Sequence, residues 1–306
     1  MNISEPLPLF ELHGWSTRQL VAVEQALGRW VACPEGAPAL AGLGNAMRYA
    51  VLDGGKRLRP LLVIAACEAV GGNRAAALRA ACAVELIHAY SLVHDDMPCM
   101  DNDVLRRGKP TVHVRFGQAQ ALLAGDALQA LAFELLTPDD GSVSVAVQAA
   151  LCRMLAQAAG FQGMAGGQAI DLAGVGRRLS SQELHDMHRL KTGALLRASV
   201  MMGAACGMAS STAHAALHDY GTTIGLAFQV VDDILDVVAD SATLGKTAGK
   251  DAAQHKPTFV SLMGLEASQN YAQELLSQAR ASLRSSALEN TQALGALANM
   301  LVNRHT

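Results

Sequence analysis

The sequence predicts an all-α fold, a bundle of helices in one domain spanning residues 1–306, and three observations lead to this prediction. Hydrophobic residues make up 51% of the chain and charged residues only 17%, so the chain can bury a large core and is not intrinsically disordered. Aromatic residues make up only 4%, which disfavours a protein built from pleated sheets. Almost every segment between turn signals repeats its apolar residues with the period of an α-helix.

Clusters of Pro, Gly and Asp at 34–38 and 137–141 are examples of the turn signals that divide the chain. A capping box at 180–183 predicts the start of one helix. Two segments, 80–93 and 220–231, are apolar almost all round, which indicates helices buried among other helices. We predict helices over residues 16–32, 39–53, 58–70, 74–97, 118–136, 142–160, 161–172, 181–205, 212–239, 257–266, 268–286 and 290–303.

Composition and termini also disfavour several classes of protein. The formal net charge of −3 argues against nucleic acid as the main partner, because a surface that follows phosphates carries an excess of Lys and Arg. The N-terminus lacks the basic-then-apolar order of a signal peptide, and we find no uninterrupted apolar run of about 18 residues that could span a bilayer. The cysteines are scattered and form no C-x-x-C pair, so we expect reduced thiols and a cytoplasmic protein. They are Cys33, Cys67, Cys82, Cys99, Cys152 and Cys206.

Two acidic clusters lie at the ends of two of the most apolar segments. In the second cluster Asp232 and Asp236 are four residues apart, so their carboxylates leave one face of a helix. In the first cluster Asp95 and Asp101 are six apart, which on a regular helix separates them by about 120°. Pro98 lies between them and should end the helix, so we expect the chain to turn back there.

Carboxylates repel one another and lose hydration when they are placed beside apolar helices. A hard divalent cation such as Mg²⁺ offsets both costs, because it binds carboxylate oxygens and shares its remaining positions with water and substrate phosphates. A single cluster of this kind is equally well explained as a solvated acidic helix end. Two such clusters on separate buried helices favour the metal site.

Glycine-flanked cations occur in four segments, at 54–60, 106–110, 191–193 and 245–251, and the second and fourth of these follow the two acidic clusters. Taken singly, each is more simply read as a solvated loop charge. Glycine lets backbone N–H groups approach a phosphate, while Arg binds its oxygens with a forked pair of hydrogen bonds. The last segment is not a Walker loop, because its spacing differs from G-x-x-x-x-G-K-[ST]. Carboxylates and cations in alternation therefore indicate a site for diphosphate and magnesium.

These motifs also occur in the order typical of one known family. From about residue 40 to 304 the chain resembles the trans-isoprenyl diphosphate synthases, and most closely their bacterial members that form farnesyl diphosphate. The resemblance implies an isoprenoid-synthase-type helical bundle around a deep central cavity, usually in a homodimer. It also implies Mg²⁺ as the cofactor, with three ions per active site and Mn²⁺ as an alternative.

The resemblance assigns roles to individual residues. The diphosphate of isopentenyl diphosphate would be held by Lys56, Arg59, His88 and Arg107. Mg²⁺ would be bound by Asp95, Asp101 and Asp232, with Asp96, Asp233 and Asp236 acting behind them or through water. The allylic diphosphate would be held by Arg106, Lys191, Thr192, Gln229 and Lys246. Of these residues, catalysis is expected to depend most directly on Asp95, Asp101, Asp232, Arg106, Lys191 and Lys246.

One departure from the family pattern is Phe259-Val260, where many relatives carry Tyr-Pro. It lies outside the metal and phosphate motifs. Gln168 and Asp171 share one helix face after two glycines and are candidates for polar groups in the cavity.

The expected reaction is the head-to-tail condensation of isopentenyl diphosphate with dimethylallyl and geranyl diphosphates. Farnesyl diphosphate is the expected product and geranylgeranyl diphosphate the alternative. Three further readings remain open: a terpene cyclase, a metal phosphohydrolase that uses His94-Asp95, and a non-catalytic prenyltransferase subunit. The cyclases usually carry an Asn/Ser/Glu second motif, the hydrolases need more histidine ligands than we can place, and the non-catalytic subunits typically lose their Asp motifs.

Two residues before the first acidic cluster are candidates for the wall that limits product length. Helical spacing places Ser91 within about 40° of the face of Asp95 and Tyr90 roughly 140° away, which favours Ser91. The resemblance instead implies Tyr90, the fifth residue before the motif, as the bulky floor of the hydrocarbon pocket.

Overall fold

The computed structural model describes residues 10–31, 38–52, 54–174, 180–238 and 258–304. These residues are almost entirely helical, which confirms the predicted all-α class. The helices are α1 (Leu12–Trp30), α2 (Pro38–Val51), α3 (Leu58–Ala69), α4 (Arg74–Asp95), α5 (Val112–Phe116), α6 (Gln118–Leu136), α7 (Val145–Ala159), α8 (Met164–Gly174), α9 (Ser181–His188), α10 (Ala194–Ala205), α11 (Ser211–Val238), α12 (Phe259–Met263), α13 (Leu265–Ser285) and α14 (Gln292–Val302).

Helices α4, α10 and α11 form the centre of the bundle. Helix α4 packs between α3 and α6, and α10 packs against α3, α7 and α11, while α13 covers the other side of α11. The predicted burial of 80–93 and 220–231 is confirmed for most of their residues. Tyr220 is fully buried and its hydroxyl donates to the carbonyl of Leu294 at 2.7 Å, so α11 is tied to α14 through the core.

Several helix boundaries differ from the sequence prediction. The first helix begins at Leu12 rather than residue 16, because the Glu11 carboxylate caps it by accepting from the N–H groups of His13 and Gly14. Helix α8 begins at Met164 rather than 161. The break predicted after residue 266 lies at Gly264, whose φ of +86° ends α12 and begins α13.

A short hairpin and a short helix after α4 were missed by the sequence prediction. Strands β1 (Leu105–Arg106) and β2 (Lys109–Pro110) form a small antiparallel hairpin, and α5 follows it. A two-residue strand cannot show the alternating pattern on which strand prediction depends. The predicted capping box at Ser180 is confirmed, since its hydroxyl accepts from the Glu183 N–H while the Glu183 carboxylate accepts from the Ser180 N–H.

The expectation of no membrane-spanning segment is corrected in one respect. Helices α4 and α6 are both long and apolar enough to cross a bilayer, by length and composition alone. This is weak support for a span, because the core helix of a soluble protein meets the same criterion and most of α4 is buried within the bundle. The expectation of a single domain spanning residues 1–306 stays a prediction.

Candidate active site

The chain turns back at the C-terminal end of α4, where the first acidic cluster lies. Helix α4 ends at Asp95, and the N–H of Asp101 donates to the carbonyl of Asp95 at 2.8 Å. The N–H of Asn102 likewise donates to the carbonyl of Met97 at 3.1 Å. The turn predicted at Pro98 is thus confirmed, and it brings Asp101 back beside Asp95.

The electrostatic surroundings of Asp95 favour a cation beside it. Burial raises the pKa of Asp95 to about 6, the Lys191 ammonium opposes this shift, and the Asp101 carboxylate adds to it. A carboxyl in this position is difficult to ionise without positive charge nearby. The loop that follows α4 therefore has the chemistry of a cation site rather than of a solvated helix end.

Lys191 reaches this cluster from a widened turn between α9 and α10. Residues Arg189–Gly193 form a π-helical segment, which is the interruption that the sequence indicated there. The Lys191 ammonium donates to the Asp171 carboxylate of α8 at 2.5 Å. Burial lowers the pKa of Lys191, but the Asp171 carboxylate outweighs it and the pKa is raised overall. Asp171, which the sequence marked only as a candidate polar group, therefore holds Lys191 charged.

Two glycines let neighbouring helices press against this segment. A Cβ at Gly167 of α8 would lie 2.1 Å from the backbone nitrogen of Lys191. A Cβ at Gly225 of α11 would lie 2.8 Å from the Cα of Gly193. No side chain fits at these distances, so the backbone of the π-helical segment is clamped between α8 and α11.

A chain of hydrogen bonds connects the π-helical segment to the second acidic cluster. The Thr192 hydroxyl donates to the Gln229 side-chain carbonyl at 3.1 Å, and the Gln229 amide donates to Asp233 at 2.8 Å. The second oxygen of Asp233 accepts from the backbone N–H of Phe259 at 2.7 Å. Phe259 itself is buried and stacks on His188. Asp233 thus positions Gln229. Phe259, which stands where many relatives carry Tyr, is accommodated by packing against His188.

The hairpin carries the two arginines that follow the first cluster. Arg106 binds Asp96, its Nε lying 2.9 Å from both carboxylate oxygens and its Nη2 2.5 Å from one of them. Asp96 is buried, so this pair holds the hairpin against the end of α4. Arg107 donates to the carbonyl of Gly54 at 2.7 Å, which brings the hairpin next to the 54–60 segment.

A second group of cations faces Asp232 on α11. The guanidinium of Arg59 lies 5.9 Å from the ring centre of Phe228, and its Nε is buried with no hydrogen-bond partner among the described residues. The guanidinium of Arg304 lies 4.5 Å from the same ring and is paired with the Asp232 carboxylate. Phe228 and Arg304 are functional candidates that the sequence did not single out.

The surroundings of His88 place it in this cationic region. Burial lowers the pKa of His88 well below its ordinary value, and the charges of Arg59, Arg107 and Arg106 lower it further. His88 is therefore a neutral ring that can donate one N–H. Lys56 lies close enough to Arg304 and Asp232 to be affected by both charges. Burial and Arg304 lower the pKa of Lys56, Asp232 opposes them, and the pKa is lowered overall.

The two candidates for limiting product length lie differently on α4. Tyr90 packs edge-on against His94, with ring centres 5.7 Å apart, and its hydroxyl lies near the Gln129 side chain of α6. Burial raises the pKa of Tyr90, and Gln129 opposes this shift. The Ser91 hydroxyl donates to the carbonyl of His88 in the preceding turn at 2.9 Å. Tyr90 thus faces the seam between α4 and α6, whereas the Ser91 hydroxyl is satisfied within its own helix.

The donor set fits a hard divalent cation. Carboxylate oxygens are offered by Asp95, Asp101 and Asp232. In the described part of the chain Lys191 lies near Asp95 and Asp101, and Arg304 is paired with Asp232. No three metal-ligating side chains converge on one point within the described ranges, so any ion would have to draw ligands from substrate and water as well. Lys246 lies in 239–257, outside the described residues.

An all-helical bundle that sets two aspartate-rich helix segments among separate groups of cations is typical of enzymes that act on diphosphates through magnesium. Comparison with known proteins gives this class a family. The model of the polyprenyl synthetase family matches residues 41–294. The chain belongs to this family and is a prenyltransferase.

Three relatives illustrate the match. A probable farnesyl diphosphate synthase of Sinorhizobium fredii is 51% identical over 270 residues, covering 87% of this chain and 80% of that protein. Geranylgeranyl pyrophosphate synthase 4 of Arabidopsis thaliana is 47% identical over 264 residues, covering 85% and 70%. The crystal structure of the Helicobacter pylori geranyltransferase, complexed with magnesium and isoprenyl diphosphate, superposes with a TM-score of 0.85 at 34% identity, covering 98% and 100%.

Proposed function

We propose that this protein condenses isopentenyl diphosphate head-to-tail with dimethylallyl and geranyl diphosphates in a Mg²⁺-dependent reaction, forming farnesyl diphosphate and releasing diphosphate. The observation that carries the proposal is the pair of acidic helix segments in α4 and α11, each beside its own set of cations. The greater identity to the farnesyl synthase of Sinorhizobium fredii supports fifteen carbons. Geranylgeranyl diphosphate is the second candidate, because a synthase of that product is 47% identical.

In this proposal the metal, when bound, neutralises the allylic diphosphate as its C–O bond ionises. The metal ligands would be Asp95, Asp101 and Asp232. Three Mg²⁺ ions would bind per site, and Mn²⁺ is the alternative metal. Asp96, Asp233 and Asp236 would act behind these ligands. The contacts of Asp96 with Arg106 and of Asp233 with Gln229 suit that supporting role.

The two diphosphates would bind different cations. Lys191 and Thr192, together with Arg106, Gln229 and Lys246, would bind the allylic diphosphate. Fixed positive charge there stabilises the leaving group as its charge develops. Isopentenyl diphosphate would be bound by Lys56, Arg59, neutral His88 and Arg107. These residues would present its double bond to the allylic cation. The departing diphosphate would take the proton.

The rival functions fit less well. The second acidic cluster reads Asp-Asp-Ile-Leu-Asp, whereas cyclases usually carry Asn, Ser and Glu there. In the phosphohydrolase reading His94 would bind metal, but its Nε2 lies 3.1 Å from the carbonyl of Leu122 on α6 and must donate to it. A non-catalytic subunit would not need both acidic clusters.

The active form is proposed to be a cytoplasmic homodimer without a membrane span. Helix α6 supports the dimer, because Leu122 and Leu123 leave about half of their surface exposed on an otherwise apolar helix. Exposed neighbouring leucines are typical of an interface between subunits.

The pKa of Asp95 gives one expected result. Above its pKa of about 6 the carboxylate is ionised and can bind Mg²⁺, and as the pH falls through 6 protons compete with the metal. We expect Mg²⁺ affinity, measured by titration calorimetry without substrate, to fall about tenfold per pH unit below that point. In Asp95→Asn the affinity should be weaker and its pH dependence flatter; an equal slope in both proteins would contradict the assignment.

Substitution of one cation in each proposed pocket should separate the two substrates. Arg59→Ala should raise the KM for isopentenyl diphosphate about 10- to 100-fold, because a charge-assisted hydrogen bond to phosphate is lost. Lys191→Ala should instead raise the KM for the allylic substrate. Arg280→Ala is the control, since this arginine on α13 is exposed and its guanidinium donates a hydrogen bond to the Asn299 side chain. If Arg59→Ala and Lys191→Ala shift the same constant, the two-pocket assignment is wrong.

Tyr90→Ala should lengthen the product. The substitution removes the ring that packs against His94 at the seam of α4 and α6, and so opens space for a longer chain. Chromatography of the dephosphorylated alcohols should show a shift from farnesol toward twenty carbons or more. Ser91→Ala is the matched control and should leave farnesol dominant. An unchanged product in Tyr90→Ala would remove Tyr90 as the limiting wall.

The same chromatography tests the proposed function itself. Incubation of the protein with Mg²⁺, dimethylallyl diphosphate and isopentenyl diphosphate should give farnesol as the main alcohol after dephosphorylation. A twenty-carbon main product would select the second candidate function. A cyclic hydrocarbon formed from the allylic substrate alone would replace both by a cyclase.

A further inference from the structure

The backbones of helices α3 and α10 approach each other closely, away from the acidic clusters. A Cβ at Gly203 of α10 would lie 2.2 Å from the carbonyl oxygen of Val63 and 2.9 Å from the Cβ of Ala66 on α3. Cys206 lies three residues beyond Gly203, and Cys67 follows Ala66 directly. The close crossing therefore brings the two cysteines to the same level of the bundle.

The turn after α3 passes between these two cysteines. A Cβ at Gly72 would lie 2.8 Å from the Cys67 sulfur and 2.9 Å from the backbone carbonyl group of Cys206. The N–H of Asn73 donates to the Cys206 carbonyl at 2.7 Å, and the Cys67 thiol lies 3.6 Å from the Asn73 carbonyl. The sulfur of Cys67 thus lies within about 6 Å of the Cys206 backbone carbonyl, so the two cysteines are close neighbours, as a disulfide requires.

We propose that Cys67 and Cys206 form a redox pair, which a hydroperoxide converts reversibly into a disulfide between the C-terminal ends of α3 and α10. Both thiols are reduced in this structure. Each is buried; the Cys67 thiol donates to the Asn73 carbonyl at 3.6 Å, and the Cys206 thiol donates to the Met202 carbonyl in its own helix at 3.2 Å.

The chemistry balances with hydrogen peroxide, the simplest hydroperoxide, as the only oxidant. The Cys67 thiolate attacks one peroxide oxygen, the O–O bond breaks, and a sulfenic acid and water form after the departing oxygen takes up a proton. The Cys206 thiol then attacks the sulfenic sulfur, expelling the hydroxyl group as a second water and leaving the disulfide. A dithiol reverses the reaction by exchange and is itself oxidised.

The surroundings support Cys67 as the attacking thiol. The neighbouring Cys206 side chain lowers the pKa of Cys67, burial opposes this shift, and the N–H of Gly72 adds to the lowering. The Cys67 side chain and burial raise the pKa of Cys206. Of the two, Cys67 is therefore the more easily ionised and the better first nucleophile.

A cavity gives small oxidants a route to Cys67. It has a volume of about 630 Å³, lies between α1, α3, α4 and the start of α14, and includes Cys67 and Gly72 in its wall. The carboxylate of Glu68 and the amide of Gln19 make part of the wall polar. A hydroperoxide is small and polar enough to enter such a space. Burial raises the pKa of the Cys82 thiol, which makes Cys82 a poorer nucleophile.

The test is to map disulfides in the folded protein after exposure to hydrogen peroxide. Protease digestion without reductant, followed by mass spectrometry, should yield one peptide pair linked through Cys67 and Cys206, and dithiothreitol should separate it. Thiol titration in denaturant should show two fewer free thiols than in the untreated protein. Cys206→Ala should give no linked pair, and dimedone should instead trap a sulfenic acid at Cys67.

Cys152→Ser is the matched control, since Cys152 is a half-buried thiol on α7 and its loss should not affect the linked pair. The wild-type map alone decides the proposal if Cys206→Ala does not fold. The pair would be disproved if folded wild-type protein lost thiols elsewhere while Cys67 and Cys206 remained free, or if Cys67 passed to sulfinic acid with Cys206 still reduced.

Discussion

Replacing Asp95 with alanine should lower turnover by about a thousandfold or more, because the main carboxylate at the end of α4 is lost. Asp95 is the group with the clearest need for a cation, since burial and the Asp101 carboxylate both raise its pKa. Alanine relieves that unfavourable charge, so the folded protein should be at least as stable without metal. The circular dichroism spectrum should therefore stay helical while product formation is lost.

A matched control at an exposed helix position separates this effect from general damage. Asp219 of α11 keeps 73% of its side chain exposed and lies 3.6 Å from His218. Asp219→Ala should have normal turnover and normal Mg²⁺ dependence. If Asp95→Ala turned over at a similar rate to Asp219→Ala, the metal assignment at the end of α4 would be wrong.

Replacing Asp232 with alanine should be comparably severe. In the structure this carboxylate is paired with Arg304, whose guanidinium lies 4.5 Å from the ring centre of Phe228, and the Arg59 guanidinium lies 5.9 Å from the same ring centre. Removing Asp232 deletes the proposed metal ligand and also leaves Arg304 without its anion. Turnover should fall by about two to three orders of magnitude, whereas helical content should persist.

A double substitution separates the two consequences. Arg304→Met keeps a long side chain against Phe228 and removes the unpaired charge, so the thermal midpoint of Asp232→Ala/Arg304→Met should exceed that of Asp232→Ala. Its turnover should remain as low as that of Asp232→Ala. Recovery of turnover in the double variant would show that Asp232 serves only to neutralise Arg304.

The parts of the fold that were predictable from sequence depend on local chemistry. The periodic apolar residues of α4 and α11 predicted buried helices, and Pro98 predicted the turn that brings Asp101 back to Asp95. These features involve residues a few positions apart, whose relation is set by helix geometry and by the missing N–H of proline.

The contacts that were missed join residues far apart in the chain. Asp171 binds Lys191 across two helices, and Arg304 binds Asp232 from 72 residues away. Neither pairing has a local pattern, because it depends on how α8 and the C-terminal helix pack. The clamp of Gly167 on the π-helical segment is also invisible in sequence, where Gly167 is one glycine among 28.

The most direct test of the central claim is the release of diphosphate from dimethylallyl diphosphate, measured with and without isopentenyl diphosphate. If the two cation groups bind two different diphosphates for a condensation, one diphosphate should be released for each isopentenyl unit incorporated into product. Release should fall to near background without isopentenyl diphosphate or with EDTA in place of Mg²⁺. Rapid release from dimethylallyl diphosphate alone would contradict the condensation and indicate a cyclase or a hydrolase.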